Sequence, residues 1–301
     1  MKIISILWGA PSFWIERFPL FYGVENRIFQ RLGVCPEVKV HHGGPELLHA
    51  VRDNRIHAGE IGLPPFLSAF SQGLPARIIA STFIQRLDHF LVARPGIHSL
   101  ADLRNRKIGI LSIGSCDEYF IRRLLQNQGI DPDHETTLVP LGSDYSDPAC
   151  FTGGRIDAGF MAEPALSSGE SRGFFHVLAR VGDSFPRYQW GGIFAADSWI
   201  QDKRDLLSAL MEGYRQSVRQ MAADPEACVL LGSRMFNVEP AVFRSALNRH
   251  LPNLEPDARI DMPGLEELHP HSAGAGSHPQ NNQTGRDGRS ILIFTVKILF
   301  P

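Results

Sequence analysis

Hydrophobic and polar positions change their spacing repeatedly along the chain, and this alternation predicts strands and helices that follow one another. The run Lys2–Trp8 is typical of a strand, and the amphipathic stretch Phe18–Arg31 is typical of a helix. The later predicted strands are Glu37–His41, His57–Ile61, Ala76–Ser81, Asp88–Ala93, Lys107–Leu111, Thr137–Pro140, Asp157–Met161, Phe174–Ala179 and Trp190–Ala196. The later predicted helices are Gly44–Arg52, Pro64–Gln72, Glu118–Gly129, Ser146–Gly153, Lys203–Ala223, Pro225–Phe236 and Pro240–Arg249. This rhythm predicts an α/β fold with parallel or mixed sheets flanked by helices.

A repeat within the chain indicates two α/β units that are built alike. Residues 54–60 (NRIHAGE) resemble residues 154–160 (GRIDAGF), and each segment follows an amphipathic helix and enters a short strand. Two similar units predict two lobes, with the chain crossing between them near Ala93 and near Trp190. We therefore assign residues 1–92 and 191–268 to a discontinuous first lobe and residues 93–190 to a second lobe.

The end of the chain, residues 269–301, departs from this pattern. The stretch HSAGAGSHPQNNQTGRDGRS is polar, rich in glycine and without periodicity, which predicts disorder. The mostly apolar run SILIFTVKILFP that follows has no partner strand in this scheme. An aggregation-prone segment and the product of a reading-frame error both remain open, so this tail carries no functional argument.

Composition narrows the function classes. A chain of 301 residues with 43% hydrophobic residues can bury a sizeable core, and its net charge of −2 with scattered basic residues argues against a nucleic-acid partner. The four cysteines share no C-x-x-C spacing, so we expect no zinc site and no specified disulfide. No run reaches the roughly 18 apolar residues of a membrane span. The first apolar run is shorter than the roughly 7–15 residues of a signal-peptide core, so a cytoplasmic site of action and an export signal outside this sequence both stay open.

The turn between the predicted strand Lys107–Leu111 and the next helix is a candidate anion site. Ser115 followed by Glu118 has the spacing of a capping box, which places Ser115 at the helix N-cap. Ser115 and the free amides of Cys116 and Asp117 would then hold a small, often anionic, ligand. An ordinary helix cap is the alternative, and the Asp117 carboxylate would compete with an anion. Cys116 at a helix N-terminus would have its thiolate favoured, which leaves a nucleophilic role open.

Other candidates lie at the carboxyl ends of predicted strands, where ligands of open α/β sheets bind. Aromatic rings of Trp8, Phe13 and Trp190 would stack on a planar ligand, although core packing explains each of them equally well. His57, His89, Glu60 and Glu163 would bind polar groups or transfer protons. The adjacent His41 and His42 point to opposite faces of a strand and make a poor metal pair. The remaining candidates for ligand binding are Gly9, Ala10, Gly62, Ser81, Thr82 and Gly191.

Several segments together resemble the type II periplasmic-binding-protein fold, specifically the SsuA-like group of alkanesulfonate-, nitrate- and thiamine-pyrimidine-precursor-binding proteins. The resemblance covers about residues 2–268 and is carried by HAGEIG at 57–62, SLADL at 99–103, KIGI at 107–110, GRIDAG at 154–159 and MAADPEA at 221–227. It implies two α/β lobes joined by two crossing strands, with a ligand between them. It also implies a monomeric extracytoplasmic protein that delivers a small molecule to the permease of an ABC importer.

Two other functions stay open beside solute binding. Relatives on this fold include decarboxylases, desulfinases and pyrimidine-precursor synthases, so a cytoplasmic enzyme is an alternative, as is a metabolite sensor. The turn Trp8–Pro11 lacks the nucleophilic cysteine of the desulfinases, and no early turn offers a lysine for pyridoxal phosphate. A decarboxylase would use groups such as Glu60, His57 and Arg86. We expect no catalytic residue, no cofactor and no metal, with a small-molecule ligand as the principal partner.

Overall fold

The computed structural model describes residues 2–82, 89–142, 144, 147–185, 188–262 and 264–265, and its described strands form two five-stranded sheets. The strands are β1 (Ile4–Ala10), β2 (Val34–Val40), β3 (Ala58–Gly62), β4 (Ala76–Ser81), β5 (Phe90–Ala93), β6 (Lys107–Ile110), β7 (Thr137–Pro140), β8 (Ala158–Met161), β9 (His176–Arg180) and β10 (Gly191–Ala196). The helices are α1 (Phe18–Glu25), α2 (Ile28–Arg31), α3 (Gly44–Arg52), α4 (Leu63–Ser71), α5 (Cys116–Asn127), α6 (Ala165–Ser171), α7 (Val181–Ser184), α8 (Asp197–Asp202), α9 (Arg204–Ala223), α10 (Pro225–Phe236) and α11 (Pro240–His250).

Both sheets are mixed and share one topology. The first sheet has the order β2-β1-β3-β10-β4, and the second has the order β7-β6-β8-β5-β9. In the first sheet β1 runs parallel to β2 and β3, whereas β10 is antiparallel to β3 and β4. In the second, β6 runs parallel to β7 and β8, whereas β5 is antiparallel to β8 and β9. Each antiparallel strand is thus the one that enters its lobe from the other lobe. The predicted two-lobed α/β fold is confirmed.

The first crossing between lobes comes earlier in the chain than the sequence predicts. Ala93 pairs with Ala158 of β8 and with His176 of β9, so β5 belongs wholly to the second sheet. The crossing therefore precedes Phe90 rather than falling at Ala93. The second crossing falls at Trp190, directly before β10.

Two glycine pairs explain why the repeated segments adopt the same register. Gly9 pairs with Gly59 in the first sheet, and Gly109 pairs with Gly159 in the second. A Cβ atom on Gly59 would lie 2.3 Å from the carbonyl oxygen of Gly9 and 2.8 Å from the ring of Phe194. Glycine is therefore required where β1 and β3 approach each other most closely.

Two predicted helices differ in the structure. The helix expected over Phe18–Arg31 is divided into α1 and α2, because Arg27 has a left-handed backbone with φ of 54°. Of the helix expected over 146–153, the described part contains a short 3-10 turn at Pro148–Phe151. The predictions for the tail beyond residue 268 lie outside the described residues.

Helix α9 covers the first sheet and forms much of the core of the first lobe. Leu207, Leu210, Met211 and Tyr214 on its inner face pack with Trp8 and other residues of the sheet. This apolar stripe follows the helical period, as expected for an amphipathic helix on a sheet. Among the described helices, none combines the length and apolar character needed to cross a bilayer.

Candidate functional site

A narrow cleft lies between the two lobes at the carboxyl ends of their parallel strands. The cleft is partly open to solvent. Trp14 and Trp190 give it two aromatic walls, and both rings are almost fully buried. The residues that line it are Pro11, Ser12, Trp14, Arg17, Gly44, Ile61, Gly62, Pro65, Leu111, Ser115, Cys116, Asp117 and Trp190.

The lobes touch each other beside this cleft. A Cβ atom on Gly62 in the first lobe would lie 2.5 Å from Sγ of Cys116 in the second. Similarly, a Cβ atom on Gly43 would lie 2.4 Å from Oγ of Ser112 across the same boundary. The glycines therefore permit an approach of the two lobes that a larger residue would block.

Arg17 places a guanidinium group in the cleft wall. The residue follows β1 in a 3-10 turn, Ile15–Arg17, and its side chain is only 3% exposed. Its nitrogens lie 3.6 Å from a carboxylate oxygen of Glu16 and 3.8 Å from one of Glu60, and its Nε has no hydrogen-bond partner among the described residues. These ion pairs offset part of the cost of burying the charge. Because Arg17 lines the cleft and its Nε–H makes no hydrogen bond among the described residues, the guanidinium keeps capacity to donate to a ligand.

Glu60 is held from the opposite side by helix α9. The hydroxyl of Tyr214 donates a hydrogen bond to Oε1 of Glu60, which is 1% exposed. Burial raises the pKa of Glu60, and the charge of Arg17 and the Tyr214 hydrogen bond oppose that shift. Tyr214, Glu60 and Arg17 thus form a chain of polar contacts from the core to the cleft.

Two buried histidines flank this cluster in their neutral form. His89 Nε2 lies 3.2 Å from Oε1 of Glu16, and the His89 ring packs against Trp14 and Trp190 at 5.1 and 4.2 Å between centroids. His250 is fully buried at the end of α11. Burial, together with repulsion from Arg17, lowers the pKa of each histidine to about 3. Neither ring therefore adds positive charge at neutral pH.

The N-terminus of α5 forms the second-lobe wall, with contacts that differ from the predicted capping box. Ser115 is the N-cap as predicted, but its hydroxyl donates to the carbonyl of Ser112 and makes no cap bond to the helix. Glu118 accepts from the amide of Gly114 at 2.5 Å instead of bonding back to Ser115. The capping-box prediction is wrong because the preceding turn recruits both side chains.

The neighbouring residues Cys116 and Asp117 also line the cleft. The Asp117 carboxylate accepts a hydrogen bond from the amide of Leu111 at 2.6 Å, which closes the turn after β6. Burial and the Asp117 charge raise the pKa of the Cys116 thiol well above its usual value, although Arg17 opposes the shift. The prediction that the helix N-terminus favours a thiolate here is therefore wrong.

Four candidates from the first strand and its turn do not line the cleft. Trp8 is fully buried and packs against Tyr214 with 6.1 Å between ring centroids. Phe13 packs on Phe21 and Phe236 at 5.0 and 4.7 Å, whereas Gly9 and Ala10 are buried within β1. Trp8 and Phe13 are therefore core residues, which is the alternative that the sequence left open.

Four further candidates, Ser81, Thr82, Gly191 and Glu163, are not among the residues that line the cleft. Ser81 donates its hydroxyl to the carbonyl of Thr82, and Oγ1 of Thr82 is buried without a partner among the described residues. Gly191 lies opposite Gly62 in the sheet. Glu163 is buried where the chain leaves β8 but does not line the cleft.

His57 and Arg86, which an enzyme would use, are not placed at the cleft by the described structure. His57 Nδ1 accepts a hydrogen bond from the amide of Leu7, and its ring stacks on Trp199 at 4.2 Å. Arg86 lies outside the described residues.

Sequence reasoning missed Arg17 and Trp14, which the structure places in the cleft wall. A signal was present, since the charged pair Glu16-Arg17 lies within the apolar run FWIERFPLF. Charges surrounded by apolar residues are rarely buried unless they are paired. A charged pair that follows the end of the first strand within an apolar run is therefore a signal for a candidate binding group.

Fold and cleft together define a two-lobed protein of the periplasmic-binding-protein class. The family model described as NMT1/THI5 like matches residues 25–228, which is more than half of the chain, and the chain belongs to this family. The chain matches no curated protein at a significant level.

Several solved structures share the fold at low sequence identity. The alkanesulfonate-binding protein SsuA from Xanthomonas axonopodis pv. citri, bound to MOPS, has a TM-score of 0.71 at 18% identity and covers 83% of this chain and 84% of that chain. The periplasmic aliphatic sulphonate binding protein SsuA from Escherichia coli has a TM-score of 0.68 at 16% identity, over 83% and 84%. The periplasmic nitrate-binding protein NrtA from Synechocystis PCC 6803 has a TM-score of 0.68 at 14% identity, over 80% and 69%. At these identities the likeness shows a common fold.

Proposed function

We propose that this protein is a solute-binding protein that captures a small organic molecule between its lobes for an ABC-type importer. The observation that carries the proposal is the cleft between the lobes, in which the Arg17 guanidinium lies beside two aromatic walls. Family membership supports it, as do the sulfonate- and nitrate-binding roles named for the structural relatives.

The chemistry of the cleft favours a ligand with an apolar or planar body and one anionic group. Trp14 and Trp190 offer apolar surface to the body of the ligand. Arg17 offers a charged donor, and guanidinium groups pair well with carboxylate, sulfonate and phosphate oxygens. The N-terminus of α5 lies across the cleft and adds a favourable dipole for the same group. The carboxylates of Glu16 and Glu60 beside Arg17, and of Asp117 in the first turn of α5, disfavour further negative charge on the ligand.

The protonation states of the cleft argue against the enzymatic alternative. A nucleophile needs its reactive, deprotonated form, but the raised pKa of Cys116 keeps the thiol protonated at neutral pH. His57, a candidate acid–base group, is engaged by the amide of Leu7. We extend the proposal to a monomer that docks on a membrane permease and acts outside the cytoplasm, the last in keeping with the periplasmic location named for two of the relatives.

Isothermal calorimetry and thermal shift would test the proposal with benzenesulfonate, benzoate, methanesulfonate, nitrate and the uncharged benzamide. We expect at least one anionic compound to raise the melting temperature by mass action and to be recovered unchanged. A compound that is converted would instead establish an enzyme. Failure of every compound in the panel would contradict the proposed ligand class.

A variant pair would then test the role of Arg17 in binding. Arg17→Lys keeps the charge but loses the fork of donors, so we expect about 10- to 100-fold weaker binding, as for a lost hydrogen bond to a charged group. Arg244→Lys, on the exposed face of α11, is the matched control and should bind normally. Equal affinity in both variants would place the ligand elsewhere.

A further inference from the structure

A second set of contacts joins the lobes outside the cleft lining. Arg249, at the end of α11 in the first lobe, donates from Nη1 to Oε1 of Glu163 at 2.9 Å and from Nη2 to Oε2 of Glu170 at 3.0 Å. Both glutamates belong to the second lobe, where Glu163 follows β8 and Glu170 lies on α6. The amide of Ile15, from the first lobe, donates to the carbonyl of Glu163 at 3.1 Å.

The acceptor in the second lobe is built to hold a charge. Glu163 is 1% exposed, and its carboxylate also accepts hydrogen bonds from the amide and hydroxyl of Ser167 at 3.0 and 2.9 Å. A buried carboxylate that loses its cation retains the cost of desolvation without the compensating attraction. Separation of the lobes would leave Glu163 with only the Ser167 contacts.

The donor in the first lobe is fixed in position by its own helix. Phe243, Ala246 and Leu247 of α11 pack into the first-lobe core. The carbonyl of Arg249 accepts a hydrogen bond from Nδ2 of Asn253 at 2.9 Å. The backbone that carries the guanidinium is therefore anchored in the first lobe, so the reach of the arginine side chain limits how far the lobes can separate before the contact breaks.

We propose that Arg249 is a latch that holds the two lobes in the closed arrangement and sets how often the cleft opens. Its two hydrogen bonds both cross the lobe boundary, so opening must break them together. The latch belongs to the lobes themselves and does not depend on the identity of the ligand. It predicts that the ligand-free protein spends more time open when Arg249 is replaced.

The same helix provides a matched control. Arg244 forms an ion pair with Glu226 of α10, and both residues belong to the first lobe. Arg244→Ala therefore removes an ion pair of the same chemistry from the same helix without touching the lobe boundary. Any difference between Arg249→Ala and Arg244→Ala reports the bridging contact rather than the loss of an arginine.

Hydrogen exchange of the ligand-free protein at residue resolution would test the latch. The bond to Glu163 protects the Ile15 amide, so more frequent separation of the lobes should raise its exchange rate. We expect about tenfold faster exchange at Ile15 in Arg249→Ala, as for loss of a hydrogen bond between charged groups, and no change in Arg244→Ala. Small-angle scattering should show a larger radius of gyration in Arg249→Ala alone.

A second, milder variant distinguishes loss of the contact between the lobes from a general loss of stability. Glu170→Gln removes the negative charge of one of the two acceptor groups while the more buried Glu163 pair remains, so Ile15 should exchange faster by a smaller factor. Circular dichroism would check that each variant is folded. Ile15 exchange and scattering that match the wild type in folded Arg249→Ala would overturn the latch, whatever the outcome of the ligand screen.

Discussion

Strands β3 of the first lobe and β8 of the second hold equivalent places in their sheets, yet their side chains serve different ends. Both begin with Ala-Gly, and both glycines pair with a glycine on the neighbouring parallel strand. One position later, Glu60 in β3 corresponds to Phe160 in β8. Glu60 contacts Arg17 and Tyr214, whereas Phe160 packs in an apolar cluster.

The segments after these strands also diverge. Leu63 begins α4 and is buried in the core, whereas the corresponding Glu163 accepts the hydrogen bond from Arg249. The repeat thus maintains the backbone framework through its glycines, while single side-chain differences distinguish the lobes. The first lobe supplies the guanidinium of the cleft, and the second supplies an acceptor for the contact between lobes.

Replacing Glu60 with an apolar residue, as Phe160 is in the second lobe, should have the largest effect on stability. Glu60→Leu leaves the buried Arg17 with Glu16 as its remaining carboxylate and leaves the Tyr214 hydroxyl without its acceptor. We expect a loss of about 4 kcal/mol in the free energy of unfolding, as when one partner of a buried ion pair is removed. Urea denaturation measures it.

Glu60→Gln is the control for shape, because it keeps an acceptor for Tyr214 and removes only the charge. It should lose clearly less stability than Glu60→Leu. If Glu60→Leu were neutral, the difference between Glu60 and Phe160 would have no consequence for the fold of the first lobe.

The two repeated glycines offer a second comparison, at the shared framework. In Gly59→Ala the new Cβ would lie 2.3 Å from Gly9 O, so strands must shift, and we expect a loss of about 3 kcal/mol. In Gly159→Ala the corresponding distance to Gly109 O is 3.3 Å, so only a small shift is needed and the lower backbone entropy of alanine in the unfolded chain offsets it, and we expect a change of no more than about 1 kcal/mol. The denaturation midpoints of the two variants would measure this difference in stability. Equal losses would show that the closer approach in the first lobe adds no constraint.

The buried histidines should make the first-lobe cluster sensitive to acid. Their pKa falls from 6.5 to about 3 on folding, so the unfolded chain binds more protons in this window and stability decreases as the pH falls. Between pH 7 and pH 5 each histidine should cost about 2 kcal/mol. The raised pKa of Glu60 acts in the opposite sense, since its contribution is lost as the pH rises.

Urea denaturation at pH 7, 6 and 5 would measure how the free energy of unfolding falls with pH. In His250→Leu this decrease should be smaller by about 2 kcal/mol, the contribution of one histidine. His134→Gln is the control, because the exposed His134 pairs with Asp131, which raises its pKa. A raised pKa adds stability in acid, so loss of His134 cannot flatten the slope. An unchanged slope in His250→Leu would contradict a neutral His250 in the fold.

Much of this framework was predictable from sequence because it depends on local patterns. Alternation of apolar residues predicted α3, β4, β7 and α10 with the bounds that the structure has, and the repeat predicted two similar lobes. These features follow from periodicity and from turn residues such as glycine and proline. The first crossing was misplaced because the apolar run before Ala93 gives no sign of which sheet it joins.

The site was less predictable because it depends on contacts between distant segments. Ser115, Cys116, Asp117, Gly62 and Trp190 were expected and do line the cleft. Trp8 was expected there but is buried against Tyr214, a residue 206 positions further along the chain. Strand alternation alone could not tell which face α9 would cover, and the pairing of Arg17 with Glu60 joins two segments that are distant in the sequence.

The smallest effect concerns helix caps, which also differ between lobes. In the first lobe, Asp224 accepts a hydrogen bond from the amide of Ala227 at 3.0 Å and caps α10, so Asp224→Ala should cost about 1 kcal/mol. In the second lobe, Ser115 bonds back to the turn and makes no cap bond to α5. We therefore expect Ser115→Ala to cost only about 0.5 kcal/mol, at the low end for N-cap residues. Thermal denaturation of both variants would measure the difference. A loss in Ser115→Ala as large as that in Asp224→Ala would mean that the Ser112 contact stabilises the helix start as well as a direct cap does.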